Sequence, residues 1–189
     1  MTQENYSSEN KLLELIENLE NKKRQTAAVV FHDDEQKLFS EFKKIFSEIN
    51  AAGGVVFNPA GELLMIFRKG KWDLPKGKIE SKEEKIKAAE REVKEETGLS
   101  KTKVESLLRL YPWNQECTIH TYWEARRRVL KKTYWYKMVA DSKSKFSPQK
   151  EEGITEVKWM NKKNIAERSE EHTSELQSPC NLVCRLLLE

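Results

Sequence analysis

Residues 77–99 read GKIESKEEKIKAAEREVKEETGL, with seven glutamates in one stretch and several of them a helical turn apart. Like charges at helical spacing repel by about 0.2–0.5 kcal/mol per pair. Interleaved lysines and water must absorb that cost, or the carboxylates await a cation. The apolar spacing predicts a helix from about Glu83 to Thr97, closed by Gly98 as its C-terminal cap. On a wheel of about 100° per residue, Glu92, Glu95 and Glu96 fall within about 100° of one another. Ile86, Ala89 and Val93 form the neighbouring stripe, which is predicted to face a sheet. Three hard oxygen donors at the edge of a buried face suit Mg²⁺ or Mn²⁺, although Lys85 and Lys94 offer partial neutralisation of their own.

Outward from this helix the pattern is strand-like. AAGGVVF (51–57) and ELLMIFR (62–68) flank NPAG, which reads as a hairpin with a Pro/Gly turn. KVESLLRLY (103–111), ECTIHTYWEA (116–125) and RVLKKTYWYKMVA (128–140) are three further strand candidates, the last two joined around Arg126–Arg127. ITEVKWM (154–160) is a final short strand, and Asn161 is placed to cap a helix beginning at KKNIAE. Such a sheet needs helices on its faces, which makes the chain mixed α/β.

The first fifty residues read as a helix–strand–helix lead-in: KLLELIENLEN (11–21), TAAVVFH (26–32) and DDEQKLFSEFKKIFSEIN (33–50). In the last of these, Leu38, Phe39, Phe42, Ile45 and Phe46 recur at three-to-four spacing, as on an amphipathic helix. No catalytic constellation is found there.

The spacing around the central helix is specific. Gly77, five residues, Glu83, seven residues, Arg91-Glu92-Val93, one residue, Glu95-Glu96, one residue, Gly98-Leu99 matches the Nudix box at every defined position. From about Ala51 to Glu167 the chain therefore resembles a Nudix hydrolase. That resemblance implies an α/β/α sandwich with a mixed β-sheet carrying a loop–helix–loop box. It also implies hydrolysis, by metal-activated water, of a diphosphate linkage in a nucleoside diphosphate joined to another moiety. Carried over by position, Gly77, Glu92, Glu95 and Glu96 are metal ligands for Mg²⁺ or Mn²⁺. Arg91 orients a glutamate, Glu83 and Gly98 hold the box, and either Glu92 or Glu95 is the general base. Lys82 departs from the pattern, since many members have glycine there.

The flanks bear on substrate. KWDLPKGKIE (71–80) resembles the dinucleoside-polyphosphate and diphosphoinositol-polyphosphate branches, where a lysine follows the proline. Lys76 and Lys78 are then phosphate contacts or else exposed loop lysines, and Arg68 is a further phosphate contact. Tyr134 is a base-stacking candidate or sheet core; Trp72 reads as packing. The charge of ARRR (125–128) with Lys131 and Lys132 reads mostly as a solvated turn. Glu151 and Glu152 precede the last strand, where family members sometimes supply another metal-linked carboxylate. His32 and His120 read as structural, and Cys117 as a reduced bystander. Dinucleoside polyphosphates lead the substrate classes, before ADP-sugars and nucleoside triphosphates. A non-catalytic nucleotide-binding module is the competing class.

The tail RSEEHTSELQSPCNLVCRLLLE (168–189) resembles a translated sequencing adapter, with two constant blocks in frame around a variable index. Setting it aside leaves the expected organisation as a 1–50 extension and a 51–167 hydrolase domain, cut short near Glu167, with 168–189 non-native. The formal charge of +3 then becomes +5, from 32 basic and 27 acidic residues. These charges are well mixed, unlike the segregated basic stripe of a nucleic-acid module. No apolar run of about 18 residues predicts a membrane span, and MTQENYSSEN lacks a secretory pattern. The expectations are a cytoplasmic protein with a small-molecule nucleotide partner, no nucleic acid and no membrane. The sequence leaves the oligomeric state open.

Overall fold

The computed structural model describes residues 2–21, 27–109, 116–141 and 145–165. The residues divide into two compact units, one from 1–48 with 121–130, the other from 49–120 with the residues from 131 onward. The stretch read as adapter, and the ends of the segments around Thr26 and Tyr111, lie outside the described residues. Among the described residues no helix is long and apolar enough to cross a membrane.

In the first unit, strand β1 (Thr2–Asn5) pairs parallel with β2 (Ala28–Phe31). Helix α1 (Glu9–Glu20) starts where Ser8 Oγ accepts from the Lys11 amide at 3.2 Å. Helix α2 (Glu35–Lys44) starts where Asp34 Oδ1 accepts from the Lys37 amide at 2.9 Å. Both are side-chain caps of orphan helical amides. Leu12, Leu15 and Ile16 form the buried stripe of α1. His32 serves local structure: its Nδ1 accepts from the Asp34 amide. Arg128 ties the 121–130 segment into this unit, its Nε donating to both oxygens of Glu20 at 3.1 and 3.2 Å and its Nη2 to Glu17 at 3.2 Å. The same guanidinium lies 4.8 Å from the ring centre of Trp123.

The helix expected to run to Asn50 stops earlier. It ends at Lys44, and strand β3 occupies Ser47–Phe57. Ile45 and Phe46 continue the helical spacing of apolar residues, but the Asn50 carbonyl accepts from the Ile79 amide at 3.0 Å. Sheet pairing takes the backbone groups that a longer helix would need.

The second unit is built on a mixed sheet. After β3 the strands are β4 (Leu63–Arg68), β5 (Lys71–Asp73), β6 (Lys76–Lys78), β7 (Thr102–Leu107), β8 (Cys117–Glu124), β9 (Arg127–Ala140) and β10 (Ile154–Met160), of which β8 and β9 include parts of the 121–130 segment counted in the first unit. The main order is β10-β4-β3-β9-β7, with β5 on β4, β6 on β3 and β8 on β9. The expected β3–β4 hairpin closes with Phe57 opposite Leu63. The Arg126 turn carries positive φ at Ala125 (47°) and Arg126 (63°). Strands β5 and β6 lie in a segment whose proline and glycines gave no strand signal. Side chains alternate between faces along each strand. One face packs Val56, Leu64, Ile66, Tyr136 and Met138 against helix α3 (Lys85–Thr97). The other gathers Val55, Leu63, Met65, Trp72, Leu74 and Trp135, joined by Ile165 from a helical turn at 162–165. Asn161 Oδ1 caps that turn, accepting from the Asn164 amide at 2.9 Å. Helix and turn on opposite faces give the expected mixed α/β class.

Candidate active site

Helix α3 ends as its sequence predicts: Gly98 takes the left-handed conformation at φ 79°, and its amide donates to the Lys94 carbonyl at 2.8 Å. Only glycine adopts that conformation without steric cost. Beyond the cap, Leu99 is buried, and the Ser147 amide donates to the Thr97 carbonyl at 2.9 Å. Ala88, Ala89 and Val93 are the fully buried apolar residues of the helix, with Ile86 only partly covered. This orientation buries Glu92 and Glu96 and leaves the Glu95 side chain 46% exposed.

Two arginines organise the carboxylates. Arg91 donates from Nε and Nη2 to the two oxygens of Glu83, at 2.8 and 2.9 Å. Its Nη1 is shared between Glu92 Oε1 at 2.8 Å and Glu95 Oε2 at 2.9 Å, and its Nη2 also reaches the Lys78 carbonyl at 3.0 Å. The guanidinium and the Glu80 amide hold Glu83 down at a pKa of about 2. Arg68, at the end of β4, donates from Nη1 to Glu96 Oε1 at 3.1 Å and to Glu152 Oε2 at 3.3 Å, and from Nη2 to Asp73 Oδ2 at 3.3 Å. Glu96 Oε2 accepts from the Lys76 backbone amide at 2.7 Å, and the Lys76 ammonium pairs with Asp73. Burial nevertheless pushes the Glu96 carboxyl up to about 7. Burial also raises Glu92, against the pull of Arg91.

Gly77 faces Glu92 so closely that a Cβ there would overlap the carboxylate. The backbone of β6 and the Glu92 oxygens therefore adjoin, and a larger residue would part them. Among the described residues no three His, Cys, Asp or Glu side chains converge about one point as a metal ion requires. Glu92 and Glu95 instead turn to Arg91, and Glu96 to Arg68 and the Lys76 amide. The donor set still fits a hard divalent ion in kind: it is all oxygen, and buried carboxylates raised by desolvation gain from a cation. Side-chain rotation on α3 would be needed to gather them.

The structure thus brings together Arg68, Lys76, Gly77, Glu83, Arg91, Glu92, Glu95 and Glu96. Lys78 enters through its carbonyl. Tyr134 stands apart, with the Lys85 ammonium 3.6 Å from its ring centre at the other end of α3. Burial raises the Cys117 thiol, in keeping with an inert residue. Sequence reasoning missed Asp73, the shared partner of Arg68 and Lys76. Its one signal is its position three residues before Lys76. Lys131, read with Lys132 as charge of a solvated turn, is instead half-buried on β9 beside this group.

Known structures offer partial likenesses. The MutT protein of Methanosarcina mazei Go1 is 20% identical over 65% of this chain and 83% of its own, with TM-score 0.47. An Ap4A hydrolase of C. elegans, in a binary complex, is 19% identical over 74% of this chain and 98% of its own, with TM-score 0.48. A MutT NUDIX hydrolase from Burkholderia pseudomallei is 20% identical over 62% and 85%, with TM-score 0.42. The family model for the NUDIX domain matches residues 48–177, starting before the box strands and ending inside the stretch read as adapter. With the box helix, its cap and its two arginine clamps in one place, the chain belongs to the Nudix family, hydrolases of diphosphate bonds.

Proposed function

We propose that this chain hydrolyses a diphosphate linkage in a nucleoside diphosphate joined to another moiety, with Mg²⁺ or Mn²⁺, and that dinucleoside polyphosphates are its favoured substrates. The observation that carries the reading is the junction of Gly77 with buried Glu92, beside Glu95 and Glu96. On this reading Glu92, Glu95, Glu96 and the Gly77 carbonyl hold the metal. When bound, the ion supplies charge neutralisation at the non-bridging oxygens and lowers the pKa of a bound water. Arg91 fixes Glu92 and Glu95 relative to each other, and Glu83 fixes Arg91. Of the two candidates for general base, Glu95 is the solvent-facing one, with one oxygen on Arg91. It takes the proton as water attacks phosphorus. Arg68 and Lys76 meet phosphate oxygens and balance charge on the leaving group. The hydrolase domain on this reading spans 51–167, and the protein acts in the cytoplasm on a small nucleotide rather than on nucleic acid.

The test is a Mg²⁺-supplemented assay of dinucleoside tetraphosphate, ADP-ribose and nucleoside triphosphate, with product identification. Glu95→Gln is expected to lower turnover by about 10²–10⁴-fold, the usual weight of a general base, with the fold unchanged by circular dichroism. Equal turnover by wild type and variant, or none stimulated by metal, would remove the assignment.

A further inference from the structure

Lys131 sits in VLKKTYW, between Leu130, which is fully buried, and Thr133, which is 1% exposed. A lysine half-buried in such a strand normally has a carboxylate partner, because an unpaired ammonium out of water is costly. Among the described residues Lys131 has neither hydrogen bond nor ion pair. The carboxylates within its electrostatic reach, Asp73 and Glu96, are already engaged by Arg68 and Lys76. Those two cations repel it in turn, so burial and like charge both push its pKa down.

Its direction follows from the strand. Lys131 and Thr133 precede Trp135 by four and two residues, so all three share one face of β9. That face belongs to the Val55–Met65–Trp135 cluster, opposite the α3 side. Lys76 reaches the same face: a Cβ on Gly53 would lie 2.6 Å from Lys76 Cβ and 2.8 Å from Trp135 Cζ3. The Thr133 hydroxyl is also buried without a partner among the described residues. On this one face of β9, then, neither the ammonium nor the hydroxyl has a hydrogen-bond partner among the described residues.

We propose that Lys131 binds a phosphate beyond the cleaved diphosphate, so that the site prefers chains of three or more phosphates. This rests on the reading of the site as a diphosphate hydrolase. The two phosphates at the cleaved bond face the box carboxylates, their metal, Arg68 and Lys76. A third cation on the far face of β9, with no carboxylate hydrogen-bonded or ion-paired to it among the described residues, has further anionic charge as its complement.

The test is calorimetric titration of the full chain, in Mg²⁺, with inorganic tripolyphosphate and with pyrophosphate. For Lys131→Gln the tripolyphosphate Kd is expected to rise about tenfold or more, the weight of one charged hydrogen bond, while the pyrophosphate Kd changes by less than about twofold. Lys131→Arg is expected to keep tripolyphosphate within about threefold of wild type. An unchanged tripolyphosphate Kd in Lys131→Gln, equal weakening of both probes, or no wild-type preference for tripolyphosphate would each overturn the proposal. Since removing an unpaired buried charge does not harm packing, Lys131→Gln should melt no lower than wild type. If it does melt lower, the comparison of Lys131→Arg with wild type decides by the same criteria. Binding is read without turnover, so an inactive protein that still passes this test contradicts the proposed hydrolysis and not the phosphate site.

Discussion

Arg68 Nη1 lies 3.1 Å from Oε1 of Glu96, joining the end of a strand to a carboxylate that no solvent reaches. Truncating Arg68 to alanine leaves that carboxylate with only the Lys76 amide. Breaking a buried pair from one side costs about 3–5 kcal/mol; the Arg68 head is partly open to solvent, so about 2–3 kcal/mol is expected from urea unfolding. Adding Glu96→Gln should recover most of the loss. An Arg68→Ala protein as stable as wild type would show that the pair does not hold the box to the sheet.

The Glu83–Arg91 pair sets an acid limit. Glu83 titrates near 2 in the folded chain against an ordinary value of 4.5. A depressed folded pKa contributes stability above the ordinary value, and that stability is lost as pH falls from about 4.5 to about 2. Melting temperature in this window should therefore fall less steeply for Glu83→Gln than for wild type, while at pH 7 the variant is the less stable. Parallel acid limbs would count against the assignment.

Lys82 adopts φ 65° in the turn before the box helix. A left-handed non-glycine residue costs about 1–2 kcal/mol, and glycine returns part of that gain through its freer unfolded chain. Lys82→Gly should thus stabilise the protein by about 0.5–1 kcal/mol by thermal unfolding, with turnover unchanged. A lower melting point would mean that the lysine side chain makes a contact worth more than the strain.

Gly77→Ala drives a methyl group into the Glu92 carboxylate. Overpacking of this kind costs about 1–3 kcal/mol. The displaced Glu92 should weaken Mn²⁺ binding, measurable by electron paramagnetic resonance. Unaltered Mn²⁺ affinity would separate Glu92 from the metal.

Arg128→Ala removes four hydrogen bonds to Glu17 and Glu20. Exposed ion pairs are worth up to about 1 kcal/mol each, so global stability should change little. Amide exchange across residues 121–130 should accelerate, and exchange as slow as in wild type would show that the clamp is dispensable.

What was legible in the sequence is what local chemistry dictates. The box helix and its Gly98 cap, the NPAG hairpin and the ITEVKWM strand all follow from periodicity and turn residues within a few positions. The wheel also placed Glu92 and Glu96 beside the buried stripe. It could not show that Glu95 stays in solvent, because the tilt of α3 against the sheet is set by distant residues. Arg68 was visible as a candidate, but its grip on Glu96 and Glu152 joins positions far apart in the chain. Asp73 was hidden for the same reason. Helix α2 misled because Ile45 and Phe46 mimic another helical turn, whereas the Asn50 carbonyl belongs to Ile79. Lys131 looked like hairpin charge until its burial on β9 was known.

The smaller unit takes its members from two distant parts of the chain, the first 48 residues and the 121–130 hairpin. Such a module cannot be transplanted by a single cut: excision after Glu48 carries off Glu17 and Glu20 and strands Arg128 and Trp123 on the remainder. Any shortened version meant to isolate the hydrolase therefore has to redesign the hairpin tip as well, or inherit an orphaned aromatic surface prone to self-association.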